Sequence, residues 1–274
     1  VGALLWLTTA LGAQGAPANA RAPHGFPATA DAALRIYVPA GRLVVRTWTR
    51  DSIAVTGTVG TNASFFGGGD RGHVKFGVEP VRASDATLPT ANFEITVPRG
   101  ARVWVKMIDG DVSVTGTTAE LEVYAVRGRI VARDVSGVTS LESIDAPVEV
   151  TSARGDLRVR GSKGAVTLDD VSGTVSVATI SGPVALTRFR ADGRVETIGG
   201  DVHYTGGALP GALLDVQTHG GAISLTLDAA RAPQLDAATR AGAVGGETVR
   251  GSAANGRIIA RSFKGAITVR RTPK

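Results

Sequence analysis

The chain contains no cysteine, which excludes disulfides, thiolate-ligated zinc, a cysteine nucleophile and a lipid-modified cysteine anchor. Aromatic residues are scarce, with 7 Phe, 3 Tyr and 3 Trp in 274 residues, so the core has to be aliphatic. Beyond the first residues no apolar run is long enough to span a bilayer, and no transmembrane segment is expected in the mature chain. Glycine (36) and alanine (41) are abundant instead and make up more than a quarter of the chain. That composition suits tight turns and thin, closely spaced layers, not a bulky globular centre. The formal charge of +6 and pI near 10.1 admit contact with a polyanion. With 24 acidic residues mixed among 30 basic ones and few aromatics between them, a nucleic-acid platform is not expected.

Val1 to Ala13 (VGALLWLTTALGA) is apolar, too short to span a membrane, and followed by small residues. This is the pattern of a secretory signal, expected over residues 1–20 and truncated, since the only methionine is Met107. The protein is therefore expected outside the cytoplasm: in the periplasm, on the cell surface or secreted. Residues 21–32 read as the end of a Pro/Ala-rich linker without fixed structure.

From residue 33 to 105, short alternating runs predict strands: Leu34, Ile36 and Val38; Leu43 and Val45; Ile53 and Val55; Val74, Phe76 and Val78; Phe93, Ile95 and Val97; Val103 and Val105. Phe65-Phe66-Gly67-Gly68-Gly69-Asp70 reads as a flexible loop, and Pro98-Arg99-Gly100 as a tight turn.

From Gly110 a strict nine-residue period sets in, with Gly110, Ala119, Gly128, Gly137, Ala146, Gly155, Gly164, Gly173, Gly182, Ala191 and Gly200 all small. Four residues after each stands Val114, Val123, Ala132, Leu141, Val150, Val159, Leu168, Val177, Leu186, Val195 or Tyr204. Two residues after, only Thr139 and Gly193 depart from apolar. Alternation sends these apolar positions to one face of a strand, and the small residue is expected to let the backbone approach the opposite wall. One nine-residue unit cannot enclose a core, so two units, about 18 residues, should make one coil. Charges at that spacing agree: Asp111 with Arg129, Glu142 with Arg160, Asp170 with Arg188, and the ladder Arg127, Asp145, Lys163. The expected fold is all-β, a single-stranded parallel β-helix or β-solenoid over residues 106–274, with a β capping region at 33–105. Coils after Gly200 carry insertions, and Arg270, Arg271 and Lys274 should end the stack with a basic edge.

Gly41 to Gly57 (GRLVVRTWTRDSIAVTG), Ile95 to Val103 (ITVPRGARV) and the V-S-G-x-V units resemble a bacterial putative-adhesin family of β-strand-repeat proteins. The resemblance runs from about Ala33 to Arg271. It implies an envelope-associated or secreted β-solenoid and carries over no catalytic residue.

Sites with chemistry are few. Aspartate follows the small residue only at Asp111, Asp156, Asp192 and Asp201, and most units lack the glycine doublet of calcium-binding β-rolls. Gly67-Gly68-Gly69-Asp70 lacks the lysine and helix of a phosphate loop. His24, His73, His203 and His219 have no metal-ligand spacing, and His219 reads as a core or corner residue. Asp134 and Asp170, with Ser152 between them, fall at equivalent corners two coils apart, about 9.6 Å by strand spacing, the far limit for an inverting carboxylate pair. Solvated turn aspartates are the simpler reading. Arg154, Arg158, Arg160, Arg188, Arg190 and Arg194 fall along one flank and form the candidate polyanion contact. The expected function is non-enzymatic: an exported adhesin-like or envelope scaffold protein without cofactor or metal, meeting an envelope glycan, another polyanion or its own copies. A carbohydrate-active β-helix enzyme and a purely structural self-associating module are the alternatives.

Overall fold

The computed structural model describes residues 24–84, 86–117 and 119–272, and the expected signal and residues 21–23 lie outside them. Extended alternation is realised as twenty-one strands, with no helix among the described residues. They are β1 (His24–Pro27), β2 (Ala33–Tyr37), β3 (Ala40–Trp48), β4 (Ser52–Val59), β5 (Ala63–Gly69), β6 (His73–Pro80), β7 (Thr90–Pro98), β8 (Arg102–Thr115), β9 (Glu120–Arg127), β10 (Ile130–Ser143), β11 (Val148–Arg160) and β12 (Val166–Thr179). The chain continues with β13 (Val184–Thr187), β14 (Arg190–Thr197), β15 (Val202–Gly206), β16 (Leu213–Thr218), β17 (Ile223–Leu227), β18 (Pro233–Thr239), β19 (Val244–Gly246), β20 (Ser252–Ser262) and β21 (Ile267–Arg271).

All belong to one large, mostly parallel sheet that stacks in solenoid-like tiers. Val112 pairs with Ile130, Ile130 with Val148, Val148 with Val166, Val166 with Val184 and Val184 with Val202. Later partners lie further apart, Gly193 with Leu214 and Val202 with Ile223. The eleven apolar residues that follow the small ones by four positions, from Val114 to Tyr204, are all buried. Burial also pushes the Tyr204 phenol up to about 12.

The small residues serve a different contact from the one expected. A Cβ at Gly182 would stand 2.0 Å from the carbonyl oxygen of Gly164, and one at Gly164 equally close to that of Ala146. Space is tight against the tier beneath, not against an opposite wall.

Each tier turns at two corners. At one, a Ser or Thr closes the turn from inside: Ser143 Oγ accepts from Ala146 N (2.9 Å), and Thr197, Thr218 and Thr239 accept from Gly200, Gly221 and Gly242. This satisfies a backbone donor where the ladder is interrupted. The next residue then faces solvent, which leaves Ile144, Ile180, Ile198, His219 and Phe263 outside. His219 is thus a corner residue, its ring stacked on Phe263 at 4.8 Å. At the other corner Asp134, Ser152, Asp170 and Arg188 all take the left-handed conformation (φ 51, 57, 54 and 47).

At both ends of the stack, strands are inserted between others. β2 and β3 lie between β6 and β7 on one side and β8 on the other. At the far end β20 runs between β16 and β18, and β21 between β17 and β19. The strand expected to form the basic edge, β21, is therefore covered by β19 at Ile267 to Val269, with Arg270 and Arg271 exposed beyond that pairing; Lys274 lies outside the described residues, and β18 and β19 form the last tier. Two further sequence readings change here. The supposed loop at Phe65 is β5, antiparallel to β6, with Phe65 against Phe76 and Phe93. Residues 24–27 of the supposed linker form β1, antiparallel to β4. Aromatic burial, scarce elsewhere, fixes both segments over the first tier.

Candidate functional site

On the outer face of β10 to β14, register puts Arg154 beside Ser172 and Ser172 beside Arg190. Arg158, Ser176 and Arg194 follow the same order. Serine between arginines keeps like charges about 9.6 Å apart instead of 4.8 Å, which relieves repulsion along a straight ladder. Arg160 stands beside Glu142 and Ala178. The structure thus gathers five of the six candidate arginines on this face, with Arg188 at its corner.

Their electrostatic states differ. Arg188 is paired with Asp169, Arg190 with Asp170 at 2.5 Å, and Arg194 with Glu196 at 2.5 Å. The hydrogen bond to Glu196 also raises the Arg194 pKa above its usual value. Arg154, Arg158 and Arg160 have no ion-pair partner among the described residues. The uncommitted cations therefore sit together on β11, where Asp156 is the only carboxylate sharing their stretch. Beside them Val138, Ser140, Leu157, Arg158, Thr174 and Ser176 line a shallow groove of about 370 Å³.

Several anticipated pairs are redistributed. Arg188 takes Asp169, not Asp170. Arg129 donates its backbone N–H to Asp111 (3.0 Å) while its guanidinium reaches Glu149. Of the expected ladder, Lys163 does pair with Asp145, while Arg127 turns to Asp109. The corner carboxylate of Asp170 receives Arg190 and the Ser152 hydroxyl (3.4 Å), so it is committed to the turn.

A second concavity was not legible in the sequence. Leu34, Arg35, Arg102, Val103, Trp104, Glu120 and Glu122 line about 430 Å³ on the same side, nearer the first tiers. Register places Trp104 between Arg35 and Glu122, and Arg102 beside Glu120. These residues come from β2, β8 and β9, and the excursion through β4 to β7 hides the spacing between the first two.

The fold is that of a repetitive, mostly parallel β protein with a cationic outer face and no cluster of three or more metal-ligating side chains among the described residues. The chain belongs to the Toastrack DUF4097 family, whose profile matches residues 48–256. No curated protein matches the sequence. Among solved structures it is similar to a putative adhesin of Bacteroides fragilis (14% identity, TM-score 0.45, covering 92% of this chain and 97% of that one). It is also similar to a putative lipid binding protein of Parabacteroides distasonis (12% identity, TM-score 0.44, 92% and 97%). A third is a putative cell adhesion protein of Clostridium sporogenes (10% identity, TM-score 0.27, 92% and 100%).

Proposed function

We propose that this is a non-enzymatic, exported, adhesin-like protein of the bacterial envelope, built as a parallel β-helix of about 18 residues per coil and capped by its N-terminal strands. Its binding face is β11, and its ligand an acidic envelope glycan. The observation that carries this reading is the trio Arg154, Arg158 and Arg160, three exposed cations against the single carboxylate Asp156 on their stretch of β11, none of them in an ion pair among the described residues even though Glu142 is the register neighbour of Arg160. A guanidinium donates bidentate hydrogen bonds to carboxylate or sulfate groups, and fixed spacing lowers the ordering cost of a multivalent contact. On an array of acidic glycans, Arg154→Glu combined with Arg158→Glu should weaken binding by about tenfold or more. Arg194→Glu, which alters an already neutralised position, should do less. Equal binding by the double variant and the wild type would remove β11 as the contact.

A self-associating role has its own support in the exposed corner column Ile144, Ile180 and Ile198, which are 41%, 52% and 59% exposed, and in the open edge of β18 and β19. In this reading sedimentation velocity of the wild type shows concentration-dependent assembly, and Ile144→Ser, Ile180→Ser and Ile198→Ser together abolish it. A wild type that sediments as one monomeric species throughout rejects it.

A further inference from the structure

The concavity around Trp104 combines three features that stacking does not require. Its lining includes a half-buried indole, Trp104, on a chain with only 3 Trp in all. Around it stand two guanidiniums, Arg35 and Arg102, and two carboxylates, Glu120 and Glu122, all exposed. None of the four is in an ion pair among the described residues, although Arg102 and Glu120 are register neighbours. Tyr37 and Tyr124 flank Lys106 in the adjacent column, which extends the aromatic surface.

Two positive and two negative groups leave the site with no net charge, so it has no preference for an anion or a cation. It offers both strong donors and strong acceptors beside a flat apolar face. We propose that this concavity is a binding site for a neutral sugar ring: the apolar face of a pyranose stacks on Trp104, its hydroxyls donate to Glu120 and Glu122, and its oxygens accept from Arg35 and Arg102. The volume of about 430 Å³ falls in the range of small-ligand sites and holds a mono- or disaccharide. Trp104, Glu122, Ser140 and Arg158 follow one another in register, so the ring site lies about 14 Å from the free arginines. It is a separate site, without the anion preference of the arginine face.

The test is an array of neutral oligosaccharides, ending in glucose, galactose, mannose or N-acetylglucosamine, probed with the labelled protein and followed by titration of whichever is retained. Wild type should retain at least one. Trp104→Ala should lower that affinity by about tenfold or more, and Glu122→Gln, a solvent-facing change that leaves the fold intact, should lower it severalfold. Arg154→Glu with Arg158→Glu should leave neutral binding unchanged, so this site and the arginine contact can fail separately. The proposal is overturned if wild type retains no neutral glycan, or if binding survives undiminished in Glu122→Gln and Trp104→Ala.

Discussion

Phe189→Ala should cost about 3–5 kcal/mol, near the upper end for a single core truncation. Phe189 is 1% exposed, one of the four largest fully buried side chains, with Tyr204, Phe76 and Phe93, in a core made mostly of Val, Leu, Ile and Ala. It sits beside Gly193, one of the two departures from the apolar pattern. A Cβ at Gly193 would meet the Phe189 ring at 2.7 Å and Leu214 Cδ1 at 3.0 Å. The ring occupies the space that an aliphatic side chain fills in neighbouring tiers, where Val175 is the register partner of Gly193. Truncating Phe189 therefore empties a site that Gly193 cannot refill. Adding Gly193→Val to Phe189→Ala should recover part of the loss, whereas Gly193→Val alone should destabilise by overpacking. Urea melts followed by circular dichroism read all three variants. A valine equally harmful with and without Phe189 would show that the two positions do not share one space.

That compensation also marks what could be learned before the fold was in view. Stacking gives equivalent positions in successive tiers the same surroundings, so small and apolar positions recur and the repeat is visible. Gly193 looked like a defect only because Phe189, four residues away and outside the consensus, supplies the missing volume. The N-terminal tiers were less legible because Leu34 pairs with Val103 across the whole of β4 to β7. The aromatic site went unseen for the same reason: Arg35, Trp104 and Glu122 are neighbours only after that pairing is known. Register fixes which backbones are adjacent, but an arginine reaches past its direct neighbour. Six arginines could therefore be assigned to one flank while the division into three paired and three free ones could not.

The inserted strands bear on assembly of the stack. β20 pairs with both β16 and β18, so this one strand completes two ladders at once. A parallel edge exposes unpaired backbone groups and invites addition of another strand. The first tier is screened by the antiparallel strands β4 and β5, with β1 on β4. β18 and β19 have no such cover among the described residues. The two ends are unlike, and self-association, if it operates through strands, has one end available to it.

Gly155→Ala should destabilise the chain by about 2–4 kcal/mol, a large effect for one methyl group. Gly155 has φ +107, a conformation that L side chains rarely adopt, and an added Cβ would lie 2.4 Å from the Gly137 carbonyl oxygen and 3.0 Å from its nitrogen. Both clashing atoms are backbone, so no side-chain rotation relieves them. Gly137, Gly155 and Gly173 are direct register partners, and the strain would pass to the tiers on either side. Ala191, which takes the equivalent place one tier beyond Gly173, does not share the positive φ. Gly161→Ala is the matched control: its nearest neighbour would be Thr179 Cγ2 at 3.5 Å, an ordinary contact, and it should shift stability by no more than about 0.5 kcal/mol. Similar melting midpoints for the two variants would refute the stacking role given to the nine-residue glycines. The same substitution connects fold to function, because Arg154 and Arg158 flank Gly155 on β11. Displacing the strand by even a few tenths of an ångström breaks the fixed spacing of the arginines, so a folded Gly155→Ala protein should also bind acidic glycans more weakly than Gly161→Ala.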